Sequence, residues 1–167
     1  HVDGSTTNIA SDESWKVSTG PILRNDLYGG ETYDARLEKP GWATAGYDDS
    51  NWARAVAKQP PGGILTSQLM PAIKPIATIK PVKLTNPQPG VYVYDVGQVF
   101  AGWARLRVQG PAGTQVTLKY SERILKDSGL VDERIFCYPG LKSTDEYVLK
   151  GDPRGEVYAP TFAFHPV

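Results

Sequence analysis

The chain has 167 residues, 18 basic and 18 acidic side chains and a formal net charge of zero. It carries no basic block able to neutralise a phosphate backbone, which excludes nucleic acid as a partner. No apolar run reaches the roughly 18 residues of a membrane-spanning helix, which excludes a membrane anchor of that kind.

Residues 1–13 are small and polar and read as an N-terminal tail. Residues 14–167 then read as one β-sandwich domain. Trp15-Lys16-Val17-Ser18-Thr19 is a short strand ended by Gly20-Pro21. Asn25-Asp26 opens a turn through Gly29-Gly30, and Thr32, Tyr33 and Leu37 mark the strand that follows. A Pro40-Gly41-Trp42 loop comes next. Residues 56–90 are proline-rich, with room for two edge strands between Ile76 and Leu84.

From Val91 to Val96 the side chains alternate between two faces, the period-2 pattern of a strand. Gly97 and Gly102 break that run. Trp103–Val108 and Gln115–Tyr120 complete a meander around the Gly110–Gly113 turn. A long connection follows, with turns at Asp127-Ser128-Gly129 and Cys137-Tyr138-Pro139-Gly140. Glu146–Lys150 is a strand, Gly151-Asp152-Pro153 a turn, and Val157–His165 a last strand. Short strands between frequent turn signals, with no sustained helical period, give an all-β fold, a jelly-roll β-sandwich of antiparallel strands. The chain starts at His1 and stops just after a strand, so a longer polypeptide is expected.

The chemistry-bearing residues are sparse. Nine acidic residues, Glu31 and Asp34 among them, could supply a glycosidase pair, and nothing in the sequence singles out two of them. The only histidines are His1 and His165, at opposite ends, with no Gly-x-Ser-x-Gly elbow. Cys137 is the only cysteine, so no internal disulfide forms, which fits the cytosol best and is also found in many secreted bacterial and fungal proteins; it reads as a half-buried thiol in a loop. No His/Cys cluster suits zinc. Calcium takes hard oxygens from loops, and two clusters offer them: Asn25-Asp26 with Glu31 and Asp34, and Asp48-Asp49-Ser50-Asn51. Each has a plainer reading as well. Asp48-Asp49-Ser50 reads as a turn or cap before Trp52, and Asn25-Asp26 as an Asx turn. Trp42, in its Pro-Gly loop, is an exposed aromatic on which a sugar ring could stack.

An ordered set of motifs resembles one family. Asn25-Asp26-Leu27-Tyr28, Gly30-Glu31-Thr32-Tyr33-Asp34-Ala35-Arg36, Pro40-Gly41-Trp42, Lys80-Pro81-Val82, Pro89–Asp95, Ala101-Gly102-Trp103, Thr144-Asp145-x-Tyr147-x-Leu149-Lys150-Gly151 and Phe162-x-Phe164-His165 are similar to the non-catalytic β-domain of α-L-rhamnosidases, glycoside hydrolase family 78. The chain departs from that pattern at Val99 and after His165. In some members this region is a carbohydrate-binding module of family 67. The resemblance implies a secreted, extracellular, non-catalytic module, fused to a catalytic domain, that binds terminal L-rhamnose through calcium. It implies calcium ligation by Asn25 and Asp26 with the backbone carbonyl of Pro81. It also implies sugar contacts from Tyr28, Glu31, Tyr33, Asp34, Arg36 and Trp42. Arg36 pairing with Glu31 or Asp34 as a structural bridge stands beside that reading. A structural β-domain that packs on the catalytic barrel and binds no sugar is the alternative for the whole chain.

Overall fold

A computed structural model describes residues 1–135 and 143–166. The expected turn at Cys137–Gly140, and Cys137 itself, lie outside the described residues. The described residues contain no α-helix; they form twelve strands and two short 3-10 turns.

The chain divides into two compact units where the sequence reading had one from residue 14 onward. One comprises His1–Gly20 and Lys39–Ala72, the other Pro21–Glu38 and Ile73–Val167. The first unit holds strands β1 (Lys16–Val17) and β4 (Ala53–Arg54), paired antiparallel. An exposed Lys16–Asp49 ion pair of 2.7 Å and an edge-to-face contact between Tyr47 and Trp52 brace it. Asp48 accepts from the Ser50 amide at 3.0 Å, so that acidic run is a turn.

The second unit is the sandwich. Its main sheet has the order β2-β3-β10-β9. The strands are β2 (Ile22–Asp26), β3 (Gly30–Asp34), β9 (Gln115–Lys119) and β10 (Thr144–Val148). The other strands form three small antiparallel ladders. β5 (Lys83–Gln88) pairs with β6 (Val91–Asp95). β7 (Ala101–Gly102) pairs with β12 (His165–Pro166). β8 (Leu106–Val108) pairs with β11 (Glu156–Tyr158).

The all-β class holds, with one correction. β3 and β10 run parallel, so the sheet is mixed rather than purely antiparallel. Two other expectations also change. The run from Val157 to His165 is two short strands, and no strand begins before Lys83 in the proline-rich stretch. Proline removes the amide that a ladder needs.

The period-2 rule explains the core. Tyr33, Tyr147 and Val116 are register partners across three strands and share the inner face. They meet Tyr158 of β11 and Val108 of β8 around the buried Ala35 and Leu149. The Tyr147 and Tyr158 rings stack with centroids 4.6 Å apart. Burying such rings and stacking them contributes about 0.5–1.5 kcal/mol per pair beyond area burial. Two residues along each strand, the same inner face carries Glu31 on β3 and Asp145 on β10, both fully buried. A carboxylate in this position is costly unless it is hydrogen-bonded throughout, and this decides the local design.

Candidate functional site

Asp145 is satisfied from three directions. It accepts from the Glu31 amide (2.8 Å), the Tyr120 hydroxyl (2.8 Å) and His165 Nε2 (3.1 Å). The Nε2 proton therefore faces the carboxylate, and Nδ1 accepts from Ser143 Oγ at 2.6 Å. The His165 ring stacks on Tyr120 at 4.2 Å. Burial, followed by the Asp145 carboxylate, pushes the Tyr120 hydroxyl far up, so it stays a donor. Ser143, His165 and Asp145 thus line up in the order of a nucleophile, a base and its orienting acid. The arrangement is sealed, however: Ser143 is 5% exposed, and His165 and Asp145 are 0%. A nucleophile needs a path for substrate, so this chain of bonds acts on the fold.

Glu31 is the second buried acid. It accepts from the Tyr158 hydroxyl (3.2 Å), the Thr161 amide (3.0 Å) and Asn25 Nδ2 (2.9 Å). Gly30 makes this possible. Its φ is +92°, and a Cβ there would lie 2.6 Å from the Thr144 carbonyl carbon and 2.8 Å from Asp145 Oδ1. Only glycine lets β3 approach β10 so closely.

The predicted ligands separate into different roles. Asn25 and Asp26 end the edge strand β2, and both are exposed. Asp26 Oδ1 accepts from the Tyr28 and Gly29 amides at 3.0 and 2.6 Å, the Asx turn expected from the sequence. Those amides, Gly29 first, hold the Asp26 carboxyl below its usual range, so it carries its charge at any physiological pH. Asp26 Oδ2 and Asn25 Oδ1 take no protein hydrogen bond among the described residues. Tyr28 is exposed and meets the Phe164 ring edge-on at 6.3 Å.

The remaining predicted sugar contacts are engaged or lie elsewhere. Glu31 is fully buried with its oxygens taken, so no sugar hydroxyl reaches it. Asp34 caps the 3-10 turn Ala35–Leu37 and forms a two-point ion pair with Arg36, at 2.9 and 2.7 Å. The bridge reading of Arg36 is the one observed, with Asp34 as partner. Tyr33 stacks on Tyr147 and donates to Glu38 at 3.1 Å. Trp42 is 64% exposed and belongs to the other compact unit. Pro81 is exposed and lies just before β5, outside the sheet that carries Asn25.

Among the described residues no group of three or more His, Cys, Asp or Glu could hold a metal ion. Calcium accepts neutral and backbone oxygens as well, typically six to eight in all. Asn25 Oδ1 and Asp26 Oδ2 fit part of such a set. Backbone carbonyl, water and ligand hydroxyls would have to complete it.

Sequence reasoning missed the inner acidic pair and its partners Ser143, Tyr120, Tyr158 and His165. A signal was present. Glu31-x-Tyr33 and Asp145-x-Tyr147 place an acid two residues from an aromatic on an alternating strand, which puts both on one face.

Residues 1–77 match a family model described as the α-L-rhamnosidase N-terminal domain. Residues 85–167 match one described as the bacterial α-L-rhamnosidase concanavalin-like domain. Among curated proteins, an α-L-rhamnosidase of Streptomyces avermitilis is 38% identical over 167 residues, spanning 99% of this chain and 16% of that protein. One from Formosa agariphila is 34% identical, spanning 98% and 17%. Among solved structures, an α-L-rhamnosidase from Dictyoglumus thermophilum superposes with a TM-score of 0.89 at 40% identity, over 98% of this chain and 18% of that one. The Streptomyces avermitilis enzyme, complexed with L-rhamnose, gives 0.86 at 36%, over 99% and 16%. The chain therefore spans about one sixth of the length of the curated relatives it matches.

Proposed function

We propose a role that starts from family membership: the chain belongs to the α-L-rhamnosidase N-terminal and bacterial α-L-rhamnosidase concanavalin-like domain families. It serves as the non-catalytic, carbohydrate-binding part of a larger secreted α-L-rhamnosidase. It recognises terminal L-rhamnose on plant or microbial glycans through a calcium ion. The observation that carries this reading is that the exposed residues Asn25 and Asp26 each keep one side-chain oxygen, Oδ1 and Oδ2, outside the hydrogen bonds of the described residues. Both stand at the end of β2 on side chains whose other polar atoms are fixed by Glu31 and by the Tyr28 and Gly29 amides. Adjacent hydroxyls of a rhamnose ring supply oxygens of the kind calcium still needs. Tyr28 offers an apolar wall for the ring methyl group. A single terminal sugar buries few atoms, so the affinity is weak.

The second reading is a structural β-domain that packs on the catalytic barrel. It is favoured by the exposed apolar face of β5 and β6, where Leu84, Tyr92 and Tyr94 are all exposed. Calorimetric titration with L-rhamnose, in calcium and then in EDTA, separates the two. Heat that vanishes with the chelator supports the calcium module. No heat in either buffer supports the packing domain. Turnover of an aryl α-L-rhamnoside by this chain alone would overturn both.

A further inference from the structure

We infer that buried Glu31 is the positioning residue that makes Asn25 present an oxygen, rather than an N–H, to the ligand side. This rests on the calcium reading above and extends it to how the site is held. Asn25 and Glu31 are direct register partners on β2 and β3. As a carboxylate, Glu31 has only acceptors. The Oε2 that faces Asn25 also accepts the Thr161 amide at 3.0 Å, and Oε1 takes the Tyr158 hydroxyl. Only the Nδ2 end of the Asn25 amide can lie 2.9 Å from Oε2; the opposite rotation would set two oxygens against each other. Oδ1 is thereby turned away from Glu31. Burial keeps Glu31 from swinging away, and Thr161 and Tyr158 fix its plane. A neutral amide at an exposed edge is thus given one orientation before any ligand arrives.

The ordinary rule of calcium sites sets the test. Exchanging an Asn ligand for Asp adds charge and leaves calcium binding equal or tighter. Here Asn25→Asp removes the N–H and places a second carboxylate against Glu31. The expected result is at least tenfold weaker L-rhamnose binding in saturating calcium chloride, in a full chain whose amide spectrum stays dispersed. Equal or tighter binding would overturn the inference. Glu31→Gln should bind within threefold of the parent. Its side-chain oxygen can still meet Asn25 and Thr161 while its amide donates to Tyr158. A tenfold loss there would mean that Glu31 acts through its charge, which also overturns it. A third readout needs no calcium. In the metal-free parent, the Asn25 side-chain amide should exchange with solvent at least tenfold more slowly than that of exposed Asn51. Equal rates would overturn the orientation. If the parent binds no rhamnose, the calcium reading fails, and amide exchange alone decides this inference.

Discussion

Gly30 gives the sharpest test of how the sandwich is assembled, because Gly90 provides an internal control. Both have positive φ, +92° and +76°, and differ in their surroundings. A Cβ on Gly90 would meet nothing within 4 Å, whereas one on Gly30 would overlap the Thr144 backbone and press on Asp145 Oδ1. Gly90→Ala should therefore cost only the backbone penalty of a left-handed residue, about 1–2 kcal/mol. Gly30→Ala carries the same penalty and also forces β3 off β10. That loosens the buried bond from the Glu31 amide to Asp145, and a buried polar group left short costs about 1–3 kcal/mol more. The total is about 2–5 kcal/mol, a large share of the about 5–15 kcal/mol that stabilises a typical domain. With a urea slope of about 2 kcal/mol/M, the midpoint should fall by about 1–2.5 M for Gly30→Ala and by about 0.5–1 M for Gly90→Ala. Near-UV circular dichroism of the Tyr33, Tyr147 and Tyr158 cluster follows the relevant unit. Equal midpoint shifts for the two variants would refute the close-approach argument.

Further predictions concern the acids, the tyrosines and the connectivity. Glu156 is buried and accepts from the Tyr147 hydroxyl (2.7 Å) and the amides of Lys150, Gly151 and Asp152 (3.0, 2.8 and 3.0 Å). Glu156→Ala strands these donors, the buried Tyr147 hydroxyl above all, and should cost about 1–3 kcal/mol in urea unfolding. A loss below about 1 kcal/mol would show that water replaces the carboxylate. Burial, then Glu38, pushes Tyr33 up to about 12. A raised folded value means its contribution is complete below pH 10 and lost as pH rises through about 12. Tyr33→Phe should therefore remove one late-titrating group from the tyrosinate absorbance curve. Asp26→Asn keeps the acceptor for Tyr28 and Gly29 but loses the charge. It should leave the melting temperature within about 2 °C and weaken calcium-dependent rhamnose binding at least tenfold by calorimetry. Finally, β2 and β3 lie in the segment matching one family model and β9 and β10 in the segment matching the other, joined by the parallel β3–β10 pairing. Pieces 1–80 and 81–167 should each lack dispersed amide spectra when produced alone; a folded 81–167 piece would refute that dependence.

What the sequence determined by itself is what local physics controls. Alternation placed a strand over Val91–Val96, one residue longer than the Val91–Asp95 strand of the structure. The glycine and Asx signals located the turn between β2 and β3, and proline kept residues 56–82 free of long strands. The same local logic read Asn25-Asp26 as an Asx turn, the one Asp26 forms with the Tyr28 and Gly29 amides. Pairing partners far apart in sequence were decided only by the tertiary structure. β3 and β10 are more than 100 residues apart, and no local pattern says that they run parallel, or that Glu31 and Asp145 become neighbours. The family resemblance implied sugar contacts from Glu31, Asp34 and Arg36. The fold turned Glu31 into the core and closed Asp34 on Arg36, because a sheet has two faces and the core takes whichever face its partners cover.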